Sequence, residues 1–352
     1  MSKKRKTILY FLVAMLISAA LFAVVPEVIN TSLRPVKVKA EEYNINSAEE
    51  FKAYSIEYKN GNRNPQDTLK IVINSGNTVT DFGFASLGTY GEPFAGTISV
   101  TAVGIGTFHL FNCPLFDYVS TDAVITVSGG DGSIQIIREK LPDAAIPTGA
   151  LSSGALFANH VVKGTNPANW NITLQTYDGG DENSGDAPSF ANLIGDIADE
   201  CDVTVKFTNN TSMPVSSTGD AGLICGTLGE EATLAVETAG SGGSISVTSS
   251  GGNAGSLVGK MGADSTLTLK SANNSHVTEV TASNGYAGGL VGRADDSTVK
   301  SAAGVSGYTV SGTVSGKSGA GGLFGYYKKT GGFTFDMAGI SDELADFTIT
   351  SG

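Results

Sequence analysis

Histidine, cysteine and tryptophan are nearly missing from this chain: 3 His, 3 Cys and 1 Trp in 352 residues. That shortage excludes several chemistries. Nucleophilic catalysis needs an activated group beside a base, and His109, His160 and His276 each stand without a neighbouring Ser or Cys motif. There is no His-Glu-x-x-His, no Gly-x-Ser-x-Gly and no phosphate-binding loop. Cys113, Cys201 and Cys225 are odd in number, and their spacings of 88 and 24 match no metal or redox motif. They are expected to act as buried small apolar residues. No cofactor is expected.

Basic residues are scarce and unevenly placed. The first 40 residues hold seven of the 22 Lys and Arg and one of the 34 Asp and Glu, which leaves 15 basic and 33 acidic side chains beyond them. So acidic a chain excludes a nucleic-acid partner, whose phosphates require Lys and Arg. It argues equally against anionic membrane surfaces. Net negative charge instead keeps a Gly-rich chain soluble.

The N-terminus differs from everything after it. Lys3, Lys4, Arg5 and Lys6 precede an apolar run from Ile8 to Val25, and Val38-Lys39-Ala40 then precedes Glu41-Glu42. Small or β-branched residues three and one positions before a cut suit signal peptidase. Residues 1–40 are therefore expected to be a signal peptide. The apolar run is long for that role and just able to span a bilayer, so an uncleaved signal anchor is the alternative. Both readings place residues 41 onward in the extracellular space or at the cell surface.

What is abundant is glycine, 46 residues against 10 prolines, together with a repeat. Ala-Gly-Ser-Leu-Val-Gly ends at Gly259, Ala-Gly-Gly-Leu-Val-Gly at Gly292 and Ala-Gly-Gly-Leu-Phe-Gly at Gly325. A looser copy ends at Gly226. The key leucines are Leu223, Leu257, Leu290 and Leu323, at intervals of 34, 33 and 33. Weaker copies place Leu115, Leu156 and Leu193 in the same role. Downstream of each leucine lies an apolar-polar-apolar pair: Ile125/Val127, Ile172/Leu174, Val203/Val205, Leu234/Val236, Leu267/Leu269 and Phe333/Phe335, with Val299 alone in one unit. Period two predicts strands with one buried face. Ile245/Val247, Val277/Val280 and Tyr308/Val310 with Val314 close most units.

Three strands in about 33 residues, joined by Gly, Asn, Asp and Ser turns, predict one coil of an all-β, right-handed parallel β-helix. A unit this short cannot bury its own apolar face, so the coils must stack. Each leucine then lies on its equivalent in the next coil. Ser47 with Glu50 forms a capping box, which predicts a short helix over residues 47–58 that covers the open first coil with Phe51, Tyr54 and Tyr58. The expected organisation is a signal peptide at 1–40, a lead-in with the capping helix at 41–68, and a solenoid at 69–352. Its coils are irregular to about 220 and regular from 221 to 352. Leu69 to Ile73 is expected as the first coil strand.

The Gly-Leu-apolar-Gly core, recurring with strand pairs, resembles the GLUG-motif repeats of large bacterial surface proteins and of some IgA-peptidase-type proteins. The opening from Tyr43 to Phe51, the stretch from Phe84 to Thr89 and the stretch from Pro93 to Thr97 are similar to the lead-in of such proteins. The resemblance spans residues 43–352. It implies an extracellular β-helix used in adhesion or as a stalk, and it carries over no catalytic residue.

Two acidic clusters are candidate sites. Asp178, Asp181, Glu182 and Asp186 crowd one loop, and hard oxygen ligands at that density suit Ca²⁺. Their spacing fits neither the EF-hand nor the nonapeptide calcium repeat, so a solvated insertion loop is expected and no metal. Asp295-Asp296 follows a Gly-Leu-Val-Gly copy, where a solvated turn is expected. β-Helices also host polysaccharide lyases and hydrolases built on clustered carboxylates. The sequence favours an adhesin or structural spacer without catalysis, with a carbohydrate-active enzyme as the alternative. The partner is expected to be a glycan or protein at a host or cell surface. No membrane partner is expected apart from the signal segment. Attachment is expected to come from repeats or an anchoring domain beyond Gly352, or from a partner.

Overall fold

A computed structural model describes residues 39–73, 78–79, 86–102, 107–109, 114–129, 135–137, 155–174, 192–209, 213–239, 244–270, 275–302, 309–328, 330 and 347–351. The chain divides into two units, Met1–Lys39 and Ala40–Gly352, and every element below belongs to the second. The apolar run at 8–25, Cys113, the acidic loop at 178–186 and Phe333/Phe335 lie outside the described residues.

Short apolar-polar alternations form strands that pair in parallel with their equivalents one coil away. The result is a β-solenoid with four sheets, of 12, seven, five and three strands. The first sheet includes Asp202–Asn209, Thr233–Ala239, Thr266–Leu269 and Thr298–Ser301. The second includes Ile194–Ile197, Cys225–Leu228, Val258–Met261, Val291–Asp295 and Phe324–Lys328. Register partners such as Leu234 with Leu267, Cys225 with Val258 and Val247 with Val280 lie 33 residues apart. Leu267 and Leu269 are buried, while the threonines beside them are half-buried. This in-out alternation is what makes a stacked coil preferable to an isolated one.

The expected three strands per coil are joined by a fourth. Ala254–Gly255, Tyr286–Gly288 and Gly319–Gly321 form the three-stranded sheet at a corner. No apolar alternation marks it, because backbone packs there on backbone. A Cβ on Gly255 would lie 2.2 Å from Val258 O and 2.6 Å from Gly292 N. Only glycine allows that approach.

Register moves several inward positions from where sequence spacing puts them. Ala221 pairs with Ala254 and Cys225 with Val258, so Ile224 stands opposite Leu257. Leu223 is buried beside it, and the uneven interval of 34 disappears. In the same way Phe157, not Leu156, aligns with Leu193. The buried row therefore runs through Leu115, Phe157, Leu193, Ile224, Leu257, Leu290 and Leu323. Its last member is only partly buried. In the first sheet, Val203 and Val205 pair with Ala168 and Trp170, not with Ile172 and Leu174. In the third sheet, Ile245 and Val247 stand opposite Thr278 and Val280, and Thr278 is 2% exposed, so Thr278 joins Val280 among the inward positions.

The irregular first half is filled by rings. Tyr54, Tyr58, Phe94, Phe116, Phe157 and Trp170 follow one another with centroids 5.3 to 6.2 Å apart. Bulky rings fill coils of unequal length, where a row of identical aliphatics would leave gaps. The helix spans Ala48–Lys59. Ser47 Oγ accepts from Glu50 N at 3.2 Å, and Glu50 Oε2 accepts from Asn46 N at 2.7 Å. Phe51, Tyr54 and Tyr58 are buried against the first coils. The first sheet begins one strand earlier than Leu69: Glu42–Ile45 pairs in parallel with Thr68–Ile73. No helix among the described residues is long and apolar enough to cross a membrane.

Candidate functional site

The third residue after each member of the buried row points outward on the second sheet. Register aligns Tyr118, His160, Asp196, Thr227, Lys260, Arg293 and Tyr326. Adjacent coils lie about 4.8 Å apart, so these side chains form a line along the solenoid. Strands such as Ile194–Ile197 hold them, with Ile194 and Ile197 buried and Asp196 left between them on the outer side.

At the N-terminal end of this line the rings touch. Tyr118 stacks on His160 with centroids 4.3 Å apart, and Tyr90, 83% exposed, meets Tyr118 edge-on at 5.7 Å. His160 Nδ1 lies 2.5 Å from Asp196 Oδ1. Burial pushes the Asp196 carboxyl up, and the neighbouring imidazole opposes that rise. At the other end the Arg293 guanidinium sits 5.3 Å from the Tyr326 ring and donates to Asp295 Oδ2 at 2.7 Å. The bond to Asp295 raises the Arg293 pKa further. Tyr286 packs on Tyr326 at 4.8 Å. In the middle, Thr227 Oγ1 donates to Asp220, whose carboxylate also accepts from Asn253 N and Nδ2 at 2.8 Å.

His160 is thus not the lone histidine its sequence context implies. Asp196 is 36 residues away and reaches it only because the two strands pair. The +3 spacing from the buried row is the sequence signal that would have found this line. Chemically the face offers stacking, hydrogen bonding and charges of both signs. Among the described residues, no three His, Cys, Asp or Glu come together in a way that could hold a metal ion.

The remaining sequence candidates serve the fold. Leu223, Leu257 and Leu290 are fully buried, and Leu323 is half-buried. Gly226, Gly259, Gly292 and Gly325 sit where a Cβ would come within 2.4 to 2.6 Å of a neighbouring atom. Asp296 belongs to a column of acids at one turn: Glu200, Glu231, Asp264 and Asp296 all have positive φ, between 46° and 57°. Their N–H groups donate to carbonyls of the next coil, as from Asp264 N to Asp296 O at 3.1 Å. Asp295 accepts from Arg293 of its own strand, and Asp296 is tied to the next coil by accepting from Thr330 Oγ1. His109 and His276 lie in the strands Thr107–His109 and Ser275–Ala282. Asp178, Asp181, Glu182 and Asp186 are outside the described residues.

Cys201 and Cys225 are buried free thiols. Burial pushes Cys201 up to about 11 and Cys225 higher still. Since the thiolate is the reactive form, neither should react with a thiol reagent until the chain is unfolded by denaturant. Modification of either in the native protein, mapped by mass spectrometry, would contradict the closed core.

No family model, no curated protein and no solved structure matches the chain.

Proposed function

We propose that the chain is an exported repeat protein of the GLUG-motif kind, acting at the cell surface or in the extracellular space as an adhesin or spacer without catalysis. The carrying observation is the outward line from Tyr118 to Tyr326 on a rigid stack of parallel coils. Rings set among hydroxyl, imidazole, carboxylate and cationic groups suit a carbohydrate at a cell surface. Each contact is weak, and display of many copies adds avidity of about 10²–10⁴.

Glycan arrays and peptide arrays probed with multivalent protein test this reading. Tyr118→Ala with His160→Ala and Tyr326→Ala should abolish array binding and leave Tm unchanged. Binding that survives all three changes rules out this face. One observation favours a second reading, a polysaccharide hydrolase or lyase: the His160–Asp196 pair, which orients an imidazole toward solvent. Turnover on any polysaccharide that disappears in His160→Ala and Asp196→Asn would establish it.

A further inference from the structure

The N-terminal end of the first sheet is built around a buried acid. Asp67 is fully buried. Its Oδ1 accepts from Glu41 N at 2.9 Å, and its Oδ2 accepts from the Tyr54 hydroxyl at 2.9 Å and from Asn64 N at 3.2 Å. One carboxylate therefore ties together the first strand, the capping helix and the turn before Thr68. Thr68 N donates to Glu41 O at 2.8 Å, which holds Glu41 in register ahead of Glu42–Ile45.

What this carboxylate lacks is a counter-charge. Among the described residues, no Lys or Arg forms an ion pair with it. Arg63, from the same turn, is engaged by Glu57 and by the Tyr43 hydroxyl. A buried carboxylate is stabilised by hydrogen bonds, and a paired cation compensates it further.

Glu41 is also the residue that follows Val38-Lys39-Ala40, and the unit carrying the solenoid begins at Ala40. In the uncut chain Glu41 N is an amide with one proton and no charge. Hydrolysis of the Ala40–Glu41 bond gives the hydroxyl of water to the Ala40 carbonyl and its proton to the nitrogen. A further proton from solvent makes an ammonium, at the atom already 2.9 Å from Asp67 Oδ1.

We propose that removal of residues 1–40 completes a partly buried ion pair between the new α-ammonium of Glu41, an exposed residue, and the buried Asp67, so that maturation locks the N-terminal end of the solenoid. The cut rests on the export reading above; the geometry of the pair does not. The coupling runs in one direction. A chain that still carries residues before Glu41 keeps the hydrogen bond but lacks the charge, and its first strand is held less firmly.

The test compares two forms of the mature chain, residues 41–352, one with a free amine and one N-acetylated. The acetyl group keeps an N–H on Glu41 and removes the charge. At about pH 6, where an α-amine is protonated, the free-amine form should melt higher by about 3 °C. A carboxylate partner raises the folded amine's pKa. The added stability is therefore complete below the ordinary α-amine range and is lost as pH rises through the folded value. By about pH 10 the two forms should melt together. In Asp67→Asn the gap should vanish at every pH, as a double-mutant cycle requires.

A second measurement does not need that variant to fold. An acylating reagent at about pH 7 should modify the Glu41 amine of the native mature chain about tenfold more slowly than that of the urea-unfolded chain. Equal melting of the two forms at about pH 6, or equal amine reactivity folded and unfolded, overturns the ion pair. N-terminal sequencing of the exported protein should find Glu41, and a different first residue overturns the maturation step alone. None of these readouts involves the partner-binding face.

Discussion

Leu257→Asp and Leu290→Asp are each expected to lose about 4 kcal/mol or more of stability, enough to abolish cooperative melting of the coils around them. Both side chains are fully buried. Both carbonyls also accept two backbone N–H groups from the preceding coil, as Leu257 O does from Ile224 and Cys225. An aspartate there places an unpaired charge between two apolar neighbours with no water to solvate it. In a stacked fold each coil contacts only its neighbours, so the damage should be local. Hydrogen exchange should show lost protection in Cys225–Leu228, Val258–Met261 and Val291–Asp295, with Glu42–Ile45 unaffected. Leu323→Asp should be much milder, because Leu323 is only partly buried and its charge can reach solvent. Equal melting temperatures for all three variants would show that no buried row exists.

Gly259→Ala and Gly292→Ala should each cost about 3 kcal/mol, at the upper end for overpacking. The added methyl of Gly259→Ala would lie 2.6 Å from Ala221 N and 2.7 Å from Gly226 O. That of Gly292→Ala would lie 2.6 Å from Gly259 O and 2.7 Å from Ala254 N. All four atoms are backbone, so no side chain can swing away and the coil spacing itself must yield. Gly91→Ala is the control, with open space around the built methyl; its Tm should stay within about 1 °C of the parent. Denaturant melts of the three variants decide the matter. Wild-type stability of Gly259→Ala would mean that the corner is looser than its geometry.

The two results together explain why the repeat reads Ala-Gly-x-Leu-x-Gly. Leucine supplies the buried row, and the glycines let one coil's corner rest on the next. Neither role concerns a ligand. The groups open to a partner sit three residues after the row, at positions where residue type changes from coil to coil: Asp196, Thr227, Lys260, Arg293. Repetition builds the scaffold and variation decorates it.

The coil period, the parallel stacking, the buried leucines and the capping helix were all legible in the amino-acid sequence. Each rests on a local rule: 33-residue self-similarity, period-two alternation, or a Ser-x-x-Glu cap at Ser47 and Glu50. Register was not legible, because a shift of one residue leaves the composition of a short apolar run unchanged. Ile224 and Leu223 are both apolar and both fully buried, so only the pairing of Cys225 with Val258 tells which one stands on Leu257. The fourth sheet was silent for a related reason, since strands of Ala and Gly carry no alternation. The pairs His160–Asp196 and Glu41–Asp67 lie 36 and 26 residues apart. Hydrogen bonding between coils brings their atoms within 3 Å, and a distance set by stacking leaves no trace along a single chain. The sequence by itself determined what repeats and what is buried; the tertiary structure decided which side chains meet across coils, because contact there depends on the register of strands that are neighbours only in space.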